Sequence, residues 1–222
     1  MKVKVVTRIL EANDRIAVEN RRLFNDAGVY VINLMSAPGA GKTSFIEQTI
    51  SEICRGGKKL YRKLSIGVIE GDIAGTDDAQ RIERLGIPVV QINTGSACHL
   101  DANMVNEVIV DLPLNDLNLL IVENVGNLVC PAEFKIGEDM KAMILSITEG
   151  DDKPLKYPLM FQESSALLLN KIDLLPYTNV SVKKIRKDAM SLNPALRIFE
   201  VSCKTGKGIA EWADWLTKKV KS

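Results

Sequence analysis

The sequence predicts an α/β protein built on a doubly wound, mostly parallel sheet. Three observations lead to this class. Short apolar runs alternate along the chain with segments of helical periodicity. The runs are hydrophobic at nearly every position, as expected of parallel strands that are covered on both faces. A glycine-rich turn joins the first run to a helical segment, and polar motifs follow several later runs.

The predicted strands are Tyr30–Met35, Ser65–Glu70, Val89–Ile92, Leu119–Glu123, Met143–Ile147, Ala166–Leu169 and Arg197–Val201. The predicted helices are Ser44–Arg55, Asp77–Leu85, Leu100–Leu112, Ser181–Leu192 and Ile209–Lys219. Ligands of such sheets bind beyond the carboxyl ends of the strands, and each motif described below lies at such an end.

The chain of 222 residues has the size of one α/β domain. We expect residues 1–28 to form an N-terminal helical arm and residues 29–222 to form one domain. Lys and Arg number 29 against 28 Asp and Glu, so no broad electrostatic field favours nucleic acid or a membrane surface. The apolar runs are too short to span a membrane, and Met1-Lys-Val-Lys-Val lacks a signal-peptide core. Four cysteines in this context favour a cytoplasmic protein with free or metal-bound thiols.

The arm, Thr7–Ala27, has the periodicity of an amphipathic helix. Thr7 is a candidate N-cap, and Gly28 stands where a helix-ending glycine belongs. We expect its apolar face to pack on the domain rather than to bind a partner. That face is predicted to carry Ile9, Ala12, Ile16 and Leu23.

The turn Ser36-Ala-Pro-Gly-Ala-Gly-Lys-Thr-Ser44 lies between an apolar strand and a helix, which is the context of a Walker A phosphate-binding loop. Its glycines let backbone N–H groups converge on phosphate oxygens, and the helix N-terminus adds positive potential. The candidate nucleotide-binding residues here are Gly39, Ala40, Gly41, Lys42, Thr43 and Ser44. Lys42 would reach the β- and γ-phosphates, and the Thr43 hydroxyl would ligate Mg²⁺. Ser36 departs from the motif, which has glycine at this position.

Asn170-Lys-Ile-Asp173 follows a predicted strand and has the N-K-x-D spacing of guanine-nucleotide proteins. Guanine offers two donors on one edge, and the Asp173 carboxylate is an acceptor-only fork that matches both. Lys171 can lay its aliphatic stem along the base, while Asn170 can contact N7 and tie this loop to the Walker A turn. Further candidates to contact the base are Ser202, Cys203 and Lys204, which follow the last predicted strand. The motifs together predict GTP rather than ATP.

Glu123 closes a predicted strand and is placed like a Walker B acid, which reaches Mg²⁺ directly or through water. Gly126 can donate its N–H to the γ-phosphate. Asp72 follows another strand and can hold Mg²⁺ or orient the attacking water. Lys42, Asp72 and Glu123 are therefore the candidate catalytic residues. The roles of Asp77 and Asp78 are ambiguous, and Asp77 is a candidate cap of the next helix.

No glutamine stands at an evident water-positioning place, and the sequence assigns no arginine finger. Slow intrinsic hydrolysis is therefore expected, accelerated by a partner or a second protomer.

Cys98 and His99, the only histidine, are adjacent, and Cys130 follows the Glu123-Asn-Val-Gly126 segment. Both segments leave the same side of the predicted sheet. Two thiolates and an imidazole suit Zn²⁺ or Ni²⁺, and three ligands would leave a tetrahedral site open to water or to another chain. Spacing alone also allows a pair of buried thiols beside a surface histidine. Cys54 and Cys203 are expected to be structural.

Four motifs together resemble the HypB family of nickel-incorporation GTPases. They are Thr94-Gly95-x-x-Cys98-His99-Leu100-Asp101, the run Glu123-Asn-Val-Gly-Asn-Leu-Val-Cys-Pro131, the run Glu149-Gly-Asp-Asp-Lys-Pro-Leu-Lys-Tyr-Pro158 and Asn170-Lys-Ile-Asp-Leu-Leu-Pro176. The resemblance covers nearly the whole chain and implies a SIMIBI-class P-loop GTPase that dimerises across bound nucleotide. Ser36 is compatible with it, because family members use Ser or Gly at that position.

The resemblance further implies nickel delivery to the large subunit of [NiFe]-hydrogenase, together with a HypA-type nickel chaperone. It implies that Cys98, His99 and Cys130 bind Zn²⁺ or Ni²⁺ near the dimer interface. This sequence has no cysteine before Cys54 and one histidine, so nickel storage by a Cys-rich or His-rich tract is not expected.

The short separation of Glu123 from Cys130 suggests that a γ-phosphate pulling on Glu123–Gly126 moves Cys130 and alters the metal geometry. GTP would then favour a dimer and a closed metal site. Two alternatives stay open: a GTPase chaperone for another nickel enzyme such as urease, and a regulatory or storage protein that uses GTP as a structural ligand. The acidic-then-basic run Glu149–Pro158 is expected to be a mobile loop.

Overall fold

The computed structural model describes the backbone of residues 2–55 and 64–221 and the side chains from residue 10 onward. Residue 1 of the arm, and residues 56–63 and 222 of the domain, lie outside the described residues. The Ile9 side chain assigned to the arm's apolar face also lies outside them.

Within the described residues, seven parallel strands form one sheet in the order β3-β2-β4-β1-β5-β6-β7. The strands are β1 Tyr30–Ser36, β2 Ile66–Asp72, β3 Val89–Asn93, β4 Leu119–Glu123, β5 Met140–Ser146, β6 Ala166–Asn170 and β7 Arg197–Glu200. The predicted fold class is confirmed. Strand order reverses direction around β1, so the crevice at its carboxyl end is the expected ligand site.

The α-helices lie on both faces of this sheet. They are α1 Lys2–Ala27, α2 Lys42–Arg55, α3 Asp77–Glu83, α4 Ala102–Val108, α5 Cys130–Glu133, α6 Lys153–Lys156, α7 Pro158–Glu163, α8 Val182–Leu192 and α9 Ile209–Val220. One face of the sheet packs on α2, α3 and α9, and the other on α1, α4, α7 and α8. Phe45 and Trp212 join α2 to α9, with ring centroids 5.6 Å apart.

The predicted start of β5 at Met143 was wrong, because the strand begins at Met140. Lys141 interrupts the apolar run in the sequence, yet it is buried, and its ammonium donates to the Ala132 carbonyl at 2.6 Å. The run Glu149–Pro158, predicted as a mobile loop, contains short helical turns, and its mobility stays a prediction. Ser146 and Glu149 form a capping box before the turn, and α6 follows it.

The predicted helix over Leu100–Leu112 begins two residues later and ends early. The Asp101 side chain caps α4 by accepting the Met104 N–H at 2.8 Å, and a 3₁₀ turn follows from Ile109 to Asp111. Likewise, Thr76 rather than Asp77 holds the N-cap position of α3, without a side-chain capping bond.

The face predicted for the arm was also wrong. Ala12 and Leu23 are exposed, and the buried face carries Asn13, Ala17, Asn20 and Phe24 instead. The two asparagines bond backbone that the domain leaves unpaired: Asn13 accepts the Ala102 N–H at 2.8 Å, and Asn20 donates to the Ile136 carbonyl at 3.1 Å. The buried face of the arm therefore contains polar residues, so a search for apolar periodicity does not identify it. The helix begins before Thr7, so that residue is internal rather than capping, because no Pro or Gly ends the helix upstream.

The division into arm and domain at residue 28 stays a prediction. Among residues 2–55 and 64–221, no helix has the length and apolarity needed to cross a membrane.

Candidate functional site

The Walker A turn links β1 to α2 at the reversal point of the sheet. Gly39 and Gly41 adopt φ of 72° and 98°, a left-handed backbone that favours glycine. A Cβ on Gly41 would lie 2.8 Å from the Asn170 side-chain nitrogen, so the turn is pressed against the second motif. Ser36 is buried, and the Lys42 ammonium donates to its hydroxyl at 3.2 Å. The unusual serine therefore holds the lysine beside the turn.

Thr43 and Glu123 meet at the carboxyl end of β4. The Thr43 hydroxyl donates to Glu123 Oε1 at 3.2 Å, and Lys42 Nζ lies 3.8 Å from the same oxygen. Burial raises the pKa of Glu123, while Lys42 opposes the rise. The other carboxylate oxygen, Oε2, is buried without a partner in the described structure.

Glu70 is a site residue that the sequence analysis did not assign. It lies on β2 in register with Glu123 on β4, it is buried, and its Oε1 has no partner among the described residues. Burial and the adjacent Glu123 carboxylate raise the pKa of Glu70 to about 10. Asp78 on α3 raises the pKa of both glutamates further. At neutral pH the Glu70 carboxyl is therefore protonated. A lone polar residue in an apolar strand was the available signal, but pairing it with Glu123 required the strand register.

Replacing Glu70 by glutamine is expected to change how stability depends on pH. The folded protein keeps the Glu70 proton up to about pH 10, whereas the unfolded chain releases it above its ordinary pKa of 4.5. Folding stability without metal or nucleotide therefore falls as pH rises between these values. Glutamine mimics the protonated acid, so E70Q should raise the free energy of unfolding at pH 8 by about 1–3 kcal/mol and flatten the profile.

Urea titrations from pH 5 to pH 9 would measure this effect. E83Q, at the exposed end of α3, is the matched control and should retain the wild-type profile. An equally steep decline in E70Q would assign the pH dependence to other groups.

Asp72 lies at the end of β2, but its side chain is exposed. Its Oδ1 accepts the neighbouring Ile73 N–H at 2.7 Å, and its carbonyl accepts the Thr94 N–H at 2.8 Å. Within residues 2–55 and 64–221, no hydrogen bond or ion pair joins Asp72 to Lys42, Thr43 or Glu123. The structure thus places Asp72 at the site's edge and does not bring its carboxylate into the buried cluster.

The second motif closes over the Walker A turn. Asn170 donates to the Ala40 carbonyl at 2.9 Å, and Lys171 Nζ donates to the Gly39 carbonyl at 2.7 Å. Lys171 adopts φ of 61°, a rare conformation for a residue with a side chain, held by its N–H donating to Asn170 Oδ1. Two loops distant in sequence therefore form one wall.

Asp173 is oriented by the loop after β7. The Ser202 hydroxyl donates to Asp173 Oδ1 at 2.5 Å, which leaves Oδ2 for another donor. Burial raises the pKa of Cys203 to about 11, so this thiol is neutral and inert. A cleft of about 500 Å³ opens between these loops, lined by Gly41, Ser44, Glu47, Gln48, Asn170, Lys171, Asp173, Leu174, Cys203 and Lys204. A cleft of similar volume, about 470 Å³, lies away from these motifs between α1 and the start of β5.

Cys98, His99 and Cys130 converge, with their ligand atoms all within 4.8 Å of one another. The sulfurs of Cys98 and Cys130 are 3.2 Å apart, and Cys98 Sγ is 3.8 Å from His99 Nδ1. The His99 ring stacks on Phe134 at 3.9 Å. Burial lowers the pKa of His99, which favours the neutral, ligating imidazole, and raises the pKa of Cys130, which must lose its proton to bind a metal.

Gly126 connects this cluster to the Walker A turn. A Cβ on Gly126 would lie 2.9 Å from Pro38 Cα, so only glycine permits this approach. One residue later, Asn127 donates to the Cys98 carbonyl at 3.2 Å. The loop after β4 therefore contacts the phosphate-binding turn at one point and the Cys/His cluster at the next.

The sequence matches the family profile described as CobW/HypB/UreG, nucleotide-binding domain, over residues 30–200. It is 45% identical over 214 residues to hydrogenase maturation factor HypB of Escherichia coli (strain K12), covering 96% of this chain and 71% of that protein. Two solved structures are similar across 95% of this chain. HypB from Helicobacter pylori in complex with nickel has a TM-score of 0.86 at 36% identity and is itself 95% covered. HypB from Archaeoglobus fulgidus has a TM-score of 0.85 at 37% identity and is 99% covered.

Proposed function

This chain belongs to the HypB family within the CobW/HypB/UreG group, and we propose that it hydrolyses GTP to deliver nickel during [NiFe]-hydrogenase maturation. The observation that best supports this proposal is that the nucleotide site and the Cys/His cluster are directly connected in the fold. Cys130 of the metal cluster follows Glu123 of the nucleotide site by seven residues, and Gly126 between them packs on the Walker A turn. The similarity of this chain to HypB proteins supports the same activity.

GTP is the proposed substrate. In this assignment the backbone of Gly39 to Ser44 holds the phosphates, and Lys42 neutralises the β- and γ-oxygens. Asp173 accepts both donors of the guanine edge, Lys171 covers the base, and the Ser202-Cys203-Lys204 loop contacts its oxygen. The cleft of about 500 Å³ between these residues supports the assignment, because it is the size of a small-ligand site.

Magnesium fits the buried cluster beside Lys42. Among the described residues, Glu123 Oε2 and Glu70 Oε1 are buried oxygens without hydrogen-bond partners, and the Thr43 hydroxyl is adjacent. Hard oxygen donors of this kind suit Mg²⁺. We propose that Thr43 and Glu123 hold the ion, with Asp72 reaching it or orienting the attacking water from the site's edge. The ion would neutralise charge that develops on the phosphates during hydrolysis.

Nickel is the proposed cargo of Cys98, His99 and Cys130. Two thiolates and an imidazole suit Ni²⁺ and also Zn²⁺, and the related H. pylori structure is a nickel complex. Cys98 is exposed, so the site is open on one side. An open, incomplete ligand set can pass its metal on, whereas a closed tetrahedral set holds it.

We propose a homodimer that forms across bound GTP, and we propose that nickel passes between a HypA-type chaperone, this protein and the hydrogenase large subunit in the cytoplasm. Two exposed apolar side chains next to the sites support a partner surface there: Ile73 beside Asp72 is 51% exposed, and Val129 beside Cys130 is 50% exposed. Burying them would exclude water from both sites together.

The test combines turnover, metal binding and molar mass. Wild-type protein with Mg²⁺ should hydrolyse GTP in preference to ATP, bind nickel, and double its mass by light scattering with a GTP analogue but not with GDP. Lys42→Met should reduce turnover at least about 100-fold, because it removes a transition-state cation. Lys218→Met, at an exposed position on α9, is the matched control. Binding of nickel without any GTP turnover would favour a regulatory or storage protein and contradict the proposal.

A further inference from the structure

Asn124 is a completely buried residue between the two sites that has no part in the proposed chemistry. It follows Glu123 directly and precedes Gly126 by two residues. Its backbone N–H donates to the Leu34 carbonyl of β1 at 3.0 Å, so it extends the alignment of β4 with the strand that leads into the Walker A turn.

The Asn124 side chain links three segments. Its Oδ1 accepts the N–H groups of Leu100 and Val125, both at 2.9 Å. Its Nδ2 donates to Asn33 Oδ1 on β1 at 3.0 Å. Leu100 directly follows His99, so this one amide fastens the metal-binding loop to the strand that carries the phosphate-binding turn.

The loop containing Cys98 and His99 is held at a second point. Asn127 donates to the Cys98 carbonyl at 3.2 Å, so Asn124 and Asn127 grip the loop on either side of His99. Gly126 lies between the two asparagines and packs against Pro38 of the Walker A turn. Side-chain hydrogen bonds therefore connect the segment around Gly126 to the loop of Cys98 and His99, independently of the covalent path to Cys130.

The Leu100 side chain leaves little room for the loop to move elsewhere. A Cβ on Gly71 at the end of β2 would lie 2.6 Å from Leu100 Cδ1 and 2.9 Å from the Glu123 carbonyl. Leu100 is therefore wedged against β2 while its N–H is held from β4. Packed elements of this kind move together rather than bending independently.

We infer that Asn124 is a positioning residue that couples the nucleotide state to the placement of Cys98 and His99. The identity of the metal in this inference rests on the proposed function, whereas the hydrogen bonds of Asn124 do not depend on it. The inference assigns two of the three candidate metal ligands, Cys98 and His99, to a route through Leu100, and the third, Cys130, to the direct route along the chain. Outer residues that orient ligands commonly change metal affinity about 10- to 100-fold when replaced.

Asn124→Leu tests this inference, because leucine has similar volume and removes both the acceptor and the donor. Nickel titrations in the GDP and GTP-analogue states should show a ratio of dissociation constants that collapses towards 1, with nucleotide affinity changed less than about threefold. Asn33→Leu keeps the bond to Leu100 and removes only the link to β1, so it should reduce the ratio and retain nickel affinity. Thr49→Val removes a buried hydroxyl that has no hydrogen-bond partner among the described residues, and it is the matched control.

A metal-free readout separates this inference from the proposed function. Leu100 N–H should exchange with deuterium slowly in wild-type protein and faster in N124L, and the alkylation rate of Cys98 should depend on the nucleotide only when Asn124 is present. Should N124L not fold, Asn124→Ser, which keeps a shorter acceptor, should show an intermediate effect. Wild-type coupling and Leu100 protection retained in the variants would overturn the inference. If the wild-type protein does not bind nickel but its Cys98 alkylation still depends on the nucleotide, the proposal of nickel as cargo is contradicted and the role of Asn124 is supported.

Discussion

Asp173→Asn is expected to convert the protein from guanine to xanthine nucleotide recognition. The Ser202 hydroxyl donates to Asp173 Oδ1, so an asparagine there would keep its oxygen towards Ser202 and turn its amide nitrogen towards the base. Guanine would then meet a donor where it presents its own donors, whereas the 2-oxo group of xanthine would accept from it. We expect GTP affinity to fall about 100-fold or more, with affinity for xanthosine triphosphate gained.

Competitive nucleotide titrations with both triphosphates would measure the exchange. Asp214→Asn, on the exposed face of α9, changes the net charge equally and should leave both affinities unchanged. Ser202→Ala combined with D173N adds an internal check, because it frees the introduced amide to rotate and should erode the new preference. Unaltered GTP affinity in D173N would remove Asp173 from the base site.

Cys130→Ser is expected to cause the second large effect, loss of tight nickel binding together with its dependence on nucleotide. The substitution removes one of three ligands, and serine is a poor ligand for a soft or borderline ion. The thiol sulfur lies 3.2 Å from Cys98 Sγ, whereas Cys54 and Cys203 are not part of the cluster and do not replace it. Nickel affinity should fall at least about tenfold, and the thiolate-to-nickel absorption band should weaken.

Equilibrium dialysis with nickel in the GDP and GTP-analogue states would measure the loss. Cys54→Ser on α2 is the matched control, since that half-buried thiol lies outside the cluster and should not affect metal binding. Nickel stoichiometry unchanged in C130S with the GTP analogue would contradict both the ligand assignment and the coupling of the sites.

Several parts of the site could be read from the sequence because their chemistry is local. The phosphate-binding turn is recognised from its glycines and the lysine after them, and the base-binding motif from the Asn170–Asp173 spacing. Each motif consists of residues that are close together in the sequence. The resemblance to HypB, drawn from such motifs, is confirmed by the relatives and structures. The proximity of Cys98 to Cys130 also followed from the rule that parallel strands end at one edge.

Other features could not be read because they depend on register and on contacts made across the fold. Glu70 gained its role from lying opposite Glu123 on a neighbouring strand, and Asn124 from the backbone groups that surround it. Lysine and asparagine are usually exposed residue types, yet Lys141 and the arm's asparagines each form a hydrogen bond with a backbone group inside the protein. Asp72, by contrast, looked like a member of the acidic cluster, but its carboxylate turns outward to its own loop.

The sequence by itself thus determined the fold class and the phosphate-binding turn, and it supplied the candidate residues for base recognition and for soft-metal binding. Each depends on residue type and short spacing, and these fix local backbone geometry and donor chemistry. Only the tertiary structure decided how the two sites are joined. The contact of Gly126 with Pro38 and the hydrogen bonds of Asn124 unite residues up to 91 positions apart. No local pattern encodes such a pairing, because it arises from the register of the strands that bring those residues together.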